Sequence, residues 1–132
     1  MKRSLSSFTL AALLILPGTA AVAADQRPGT MSVAVFMAKV EALRAQGAMA
    51  LFSSDYGVLK AEVTGSAQAF RRQIKAEAAS GKPSACPPER AALTSDDILA
   101  HMRLYPVATR SRIPVSDAVA DLFRKRFPCP AR

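Results

Sequence analysis

Residues 86–130 decide the fold of this chain, and they read CPPERAALTSDDILAHMRLYPVATRSRIPVSDAVADLFRKRFPCP. Cys86 opens the stretch, Cys129 lies near its end, and each stands directly beside proline. Because proline prevents a helix from continuing, we expect both cysteines in loops rather than inside helices. Pro106 and Pro114 interrupt the stretch between them in the same way. The stretch therefore predicts two helices joined by a connector.

These two helices carry start and stop signals. Residues 94–97 read Thr-Ser-Asp-Asp, which resembles a capping box with aspartate in the position of glutamate. Pro114 is acceptable in the first turn of the second helix, and the cations at 124–126 suit the dipole at its end. Its apolar residues recur at helical spacing and predict a buried stripe of Val115, Ala118, Val119, Leu122 and Phe123.

Two longer helices are predicted before residue 86. Ser32 is a cap for a helix that runs to about Gln46, where Gly47 is a natural stop. Asp55 is the expected cap of the longest helix, which runs to about Ser80. The sequence has no sustained alternation of β-branched residues, so it predicts no strand. The sequence therefore predicts an all-α, four-helix domain.

The segments around these helices are less regular. Residues 25–31 are expected to form a flexible tail. Residues 47–54 are expected to form a short turn that packs on the core through Met49, Leu51 and Phe52. Gly65 weakens the longest helix by about 1 kcal/mol relative to alanine, so it indicates either the close approach of another helix or a kink.

The N-terminus has the layout of a secretory signal peptide. Lys2 and Arg3 precede a short apolar run at 10–16, and small residues follow after Pro17 and Gly18. Cleavage is expected after Ala24, with Ala23 nearly as suitable. The apolar run is well short of the ~20 residues that a membrane span needs.

Removal of this signal peptide, residues 1–24, leaves a single helical domain at 25–132. We expect it in the bacterial periplasm or secreted, with no membrane span. The formal net charge of +8 falls by two because Lys2 and Arg3 are lost.

Two cysteines in an exported protein predict one disulfide. Closing a loop of this size gives about 4 kcal/mol on the chain-entropy model. The alternative is a reactive Cys86 thiolate with His101 as its base, but a lone partner cysteine in an oxidising compartment would block that thiolate. We therefore expect Cys86 and Cys129 to be paired.

The chain offers little for catalysis. His101 is its one histidine, and its apolar neighbours favour a half-buried or surface position. One histidine cannot complete a zinc site once both cysteines are paired. No phosphate-binding loop, hydrolase elbow or zinc-protease motif is present. We expect no enzyme activity, no metal and no cofactor.

The carboxylate pairs have structural explanations. Asp96 and Asp97 lie where helix capping accounts for both. Asp117 and Asp121 share a helix face, and Lys125 and Arg124 are within reach of Asp121.

The chain is basic, with 18 Lys and Arg against 10 Asp and Glu. Clusters of this kind attract acidic partners. The cluster around the 105–114 connector supplies the candidate partner-facing residues Arg103, Arg110 and Arg112. Trp is absent and no aromatic residues are interleaved with the cations, which argues against a nucleic-acid platform.

The pattern from Cys86 to the end of the chain resembles the bacterial Rap/Tai immunity protein family. The resemblance rests on Cys86-Pro87-Pro88, a capped helix that ends at Leu104-Tyr105-Pro106, and the closing Phe127-Pro128-Cys129. It covers residues 86–130, and the N-terminal half lacks the further cysteines typical of members. The resemblance implies an exported, disulfide-bonded helical domain, often a homodimer.

Members of that family block peptidoglycan amidase effectors of type VI secretion by occluding the active-site cleft. The resemblance thus predicts a non-catalytic binding protein with a protein partner. The alternative is a small periplasmic adaptor or structural protein that uses its basic face on acidic envelope components.

Overall fold

The structure, a computed structural model, describes residues 28–90 and 93–131, and within them it contains four α-helices, two 3₁₀ helices and no β-strand. The elements are, in chain order, α1 (Val33–Ala45), the first 3₁₀ helix (Gly47–Phe52), α2 (Ser54–Ala79), α3 (Ser95–Arg103), the second 3₁₀ helix (Val107–Arg112) and α4 (Val115–Arg126). The predicted all-α, four-helix fold is confirmed. The predicted signal peptide, residues 1–24, lies outside the described residues.

Local capping explains where the helices begin. The Ser32 hydroxyl accepts a hydrogen bond from the Val35 N–H at 3.3 Å, as predicted. Thr94 and Asp97 form the predicted capping box at the start of α3. The cap predicted at Asp55 is wrong by two residues, because Ser53 accepts the Asp55 N–H and α2 begins at Ser54. Asp55 lies in the first turn, where a carboxylate suits the helix dipole.

The core lies between α1, α2, α3 and α4, and α4 contributes most to it. All five residues of the stripe predicted for α4 are buried. Phe123 packs against Phe70 of α2 with ring centroids 5.6 Å apart. Each such side chain contributes about 1.5–3 kcal/mol on burial. Burial of this stripe therefore makes α4 a large contributor to the stability of the domain.

The disulfide between Cys86 and Cys129 is present, with Cα atoms 4.9 Å apart. The Cys86 N–H also donates to the Phe127 carbonyl oxygen at 2.8 Å. The bridge joins the segment before α3 to the end of α4, so the C-terminal helices form the closed pair that the sequence predicted.

The N-terminal residues 28–31 are fixed by hydrogen bonds, so the prediction of a flexible tail is wrong for them; residues 25–27 lie outside the described part. The Val115 N–H donates to the Met31 carbonyl at 2.8 Å, and the Met31 N–H donates to the buried Glu62 carboxylate at 2.7 Å. Gly65 permits this arrangement, because a Cβ there would overlap the Cβ of Pro28. The close approach expected at Gly65 is thus made by an extended segment and not by a helix.

The first 3₁₀ helix meets the core through the partly buried Ala50, but the prediction that Met49, Leu51 and Phe52 pack there is wrong. Met49, Leu51 and Phe52 are 65%, 67% and 84% exposed. The helix follows the end of α1 and precedes the start of α2, and within the described residues its contacts are with these two helices alone. No other described element lies over it. We call these three side chains the apolar turn.

Within the described part of the chain, no helix combines the length and the apolar character that crossing a membrane requires.

Candidate binding surfaces

The lone histidine is the buried member of a polar cluster between α3 and α4. One carboxylate oxygen of Asp121 lies 2.9 Å from Lys125 Nζ, 3.0 Å from His101 Nε2 and 3.1 Å from Tyr105 Oη. His101 is only 6% exposed, so the predicted half-buried or surface position is wrong. Its ring also meets Tyr105 edge to face. The predicted proximity of Lys125 to Asp121 is confirmed. We call these four residues the histidine cluster.

In the histidine cluster, the Asp121 carboxylate has hydrogen-bond donors that favour its charged form. Burial opposes ionisation of Asp121, but hydrogen bonds from Lys125 and Tyr105 and the charge of Lys125 hold its pKa below the usual range. Burial, with the hydrogen bond to Asp121, raises the pKa of Tyr105 to about 12. None of the four residues lines the two grooves described below. The cluster holds α3 against α4 through the contact of His101 with Asp121.

The other carboxylate pair in the sequence is Asp96 and Asp97, and the expected capping role is observed for Asp97. Asp97 accepts hydrogen bonds from the Thr94 N–H at 2.9 Å and from the Thr94 hydroxyl at 2.7 Å. These hydrogen bonds lower the pKa of Asp97. Asp96 is exposed in the same turn. In the described part of the chain, no group of three or more His, Cys, Asp or Glu residues is arranged to hold a metal ion.

The three basic residues predicted to face a partner have different surroundings. Arg110 is half-buried, and its guanidinium donates to the carbonyl oxygens of Tyr105 at 2.9 Å and Arg103 at 3.0 Å. It therefore satisfies carbonyls that the end of α3 leaves without helical partners. Arg103 and Arg112 are exposed. The structure brings Arg103 and Arg110 to one groove, and Arg112 does not line it.

We call this depression, between α1 and the second 3₁₀ helix, the arginine groove. Its volume is about 440 Å³, and its lining residues are Ala34, Met37, Ala38, Glu41, Arg103, Val107 and Arg110. Val107 and the neighbouring Leu104 are 76% and 72% exposed. The groove thus combines an apolar floor with a basic rim.

A second depression, which we call the apolar groove, lies between α2 and the start of α3. Its volume is about 330 Å³, and its apolar lining includes Tyr56, Leu59, Val63, Leu93 and Leu99. Leu59 and Val63 are spaced by four on α2; Leu59 belongs to the buried core, and Val63 packs against it partly buried. The spacing identifies their shared face, but it cannot show that α3 covers this face only in part.

No protein-family model matches this chain, and no curated protein and no solved structure matches it either.

Proposed function

We propose that this chain is an exported, non-catalytic binding protein of the immunity type, which blocks a peptidoglycan amidase by covering its active-site cleft. The resemblance over residues 86–130 supports this class of partner. The bridge between Cys86 and Cys129 suits a protein that works in an oxidising compartment. The place of action in this proposal is the periplasm.

The apolar turn is the observation that carries the proposal. Phe52 is the most exposed of its three side chains, at 84%. Exposed apolar residues that adjoin one another mark binding surfaces in soluble proteins, and aromatic residues and methionine are enriched in such interfaces. A turn between two helix ends can enter a concave site. The apolar turn therefore has the shape and the chemistry of a plug for a cleft.

An inhibition assay tests this proposal. The purified chain is titrated into peptidoglycan amidases encoded in the same genome, and the release of cleaved peptidoglycan is measured. We expect inhibition at micromolar concentration or below. Leu51→Ser with Phe52→Ser should weaken it at least tenfold, because interface anchors carry most of the binding energy. Val35→Ser is the matched control, since Val35 is 48% exposed on α1. Absence of inhibition by the unaltered chain contradicts the proposal.

A second candidate function is an adaptor that binds acidic envelope components. Arg71 lies over the ring of Phe123 at 5.4 Å, and Arg124 lies over the ring of Phe70 at 5.0 Å. These contacts bring one cation of α2 and one of α4 together where the two helices pack. The exposed basic last turn of α4 lies beside them. Vesicles with anionic lipid should then retain the chain at low salt and release it at high salt. No retention at low salt contradicts this function.

A further inference from the structure

We propose that the arginine groove is a docking site for an acidic segment of a partner protein, with an aliphatic side chain inserted between α1 and the second 3₁₀ helix. This site is separate from the apolar turn. The proposal does not depend on the identity of any amidase.

The walls of the groove suit an aliphatic side chain. Ala34 and Ala38 lie one turn apart on α1, so their small side chains leave a depression whose floor is Met37. Val107 forms the opposite wall and is 76% exposed, although valine is among the residues most often buried. An inserted side chain would cover Val107 and fill the space beside the two alanines.

The charges around the groove select an acidic occupant. Of the two arginines in the lining, Arg103 is exposed, and no carboxylate among the described residues pairs with it. Arg110 adds a second positive charge. Glu41 is the one acidic residue in the lining, and Arg44 lies 3.1 Å from it. The rim therefore has an excess of positive charge, which attracts carboxylates and disfavours a basic segment.

The groove is held in shape before any partner binds. The Thr109 N–H and hydroxyl both donate to the Pro106 carbonyl oxygen, at 2.9 and 2.8 Å. The two hydrogen bonds of Arg110 fasten the second 3₁₀ helix to the end of α3. The Val33 N–H donates to the Ile113 carbonyl at 2.8 Å, which joins the start of α1 to the same segment. A preformed site loses less conformational entropy on binding.

Selection from a phage-displayed library of random peptides on the immobilised chain tests the proposal. We expect enrichment of peptides in which Asp or Glu flanks Leu, Ile or Met. A synthetic peptide of the enriched sequence then gives dissociation constants by fluorescence anisotropy. Arg103→Glu and Val107→Ser should each weaken binding at least tenfold. Arg72→Glu is the matched control, because Arg72 is exposed on α2 and does not line the groove; its effect should stay within about threefold.

Three results would overturn the proposal. The first is a selection that enriches no peptides, or enriches basic or uncharged ones. The second is an equal loss of affinity in Arg103→Glu and Arg72→Glu, which indicates general electrostatic attraction. The third is peptide-induced amide shifts at Leu59 and Val63, which place the peptide in the apolar groove. Leu51→Ser with Phe52→Ser should leave peptide affinity unchanged, because neither residue lines the groove, so the two proposals can fail separately.

Discussion

Gly65→Ala probes the packing of the N-terminal segment on α2. A Cβ at this position would overlap the Cβ of Pro28 and lie 3.0 Å from its Cγ. Gly57, on the same helix, would meet nothing within 4 Å. The pair therefore separates helix propensity from steric conflict in one helix. We expect Gly57→Ala to stabilise the protein and Gly65→Ala to destabilise it or to leave it unchanged.

The expected difference follows from two opposing terms. Replacing glycine by alanine inside a helix stabilises by about 1 kcal/mol. Overpacking a filled site costs about 1–3 kcal/mol. Gly65→Ala should therefore lower the free energy of unfolding by about 0–2 kcal/mol relative to the unaltered chain. Relative to Gly57→Ala the deficit should be about 1–3 kcal/mol.

Urea denaturation followed by circular dichroism measures both free energies of unfolding. Thermal unfolding gives a second measure, since each 1 kcal/mol shifts the midpoint by about 4–8 °C in a domain of this size. Removing the Pro28 side chain as well, in Pro28→Gly with Gly65→Ala, should recover part of the loss because the two sites are coupled. Equal stabilisation by Gly65→Ala and Gly57→Ala would refute the packing of Pro28 on α2.

Four other changes test the remaining contacts. Asp121→Asn should lower the free energy of unfolding at pH 7 by about 1–2 kcal/mol in urea denaturation, because three donors lose a charged acceptor. In the unaltered chain, the stabilisation from Asp121 should be lost as the pH falls below about 4, through the lowered pKa of Asp121 in the folded state. The raised pKa of Tyr105 predicts the opposite at alkaline pH: stability falls between about pH 10 and 12, and Tyr105→Phe should lack this component. Cys86→Ser with Cys129→Ser should cost about 4 kcal/mol by calorimetry, and a loss below about 1 kcal/mol would contradict the role of the bridge. Thr94→Ala should cost about 1 kcal/mol in urea, and no loss would contradict the capping box.

Local signals in the sequence were sufficient for the helices. Ser32 and the residues at 94–97 identify two helix starts because capping depends on side chains within four residues of one another. Cys86 and Cys129 were paired by elimination, since the chain has no other cysteine. Each of these inferences needs no knowledge of how the helices pack.

Apart from the local error at the start of α2, where Ser53 and not Asp55 is the cap, the errors involve contacts between residues distant in sequence. His101 is buried because Asp121, twenty residues later, supplies an acceptor. Met31 is fixed in place because the Glu62 carboxylate, thirty-one residues later, accepts a hydrogen bond from its N–H. Phe52 is exposed because no described element crosses the end of α1 and the start of α2. The spacing of apolar residues indicates which face of a helix is buried. It does not indicate which other element packs on that face, or how much of the face that element covers.

The same distinction applies to the candidate surfaces. The sequence placed Arg103, Arg110 and Arg112 in one basic cluster, and the structure separates them by role. Arg110 donates two hydrogen bonds to carbonyl oxygens at the end of α3, so it holds the groove in shape. The charge of Arg103 remains exposed at the rim of the groove. A cluster of like charges in sequence therefore does not show which of its side chains form hydrogen bonds within the fold and which remain exposed.

The two proposed surfaces also differ in what holds them in place. The arginine groove depends on the second 3₁₀ helix, which Arg110 fastens to α3. His101 fastens α3 to α4 through Asp121, and the bridge between Cys86 and Cys129 closes the same helix pair. The apolar turn lies outside this closed pair, between α1 and α2. The arginine groove therefore lies on the half of the domain that the disulfide closes, whereas the apolar turn lies between two helices that the ion pair of Lys39 and Asp55 joins at 2.7 Å.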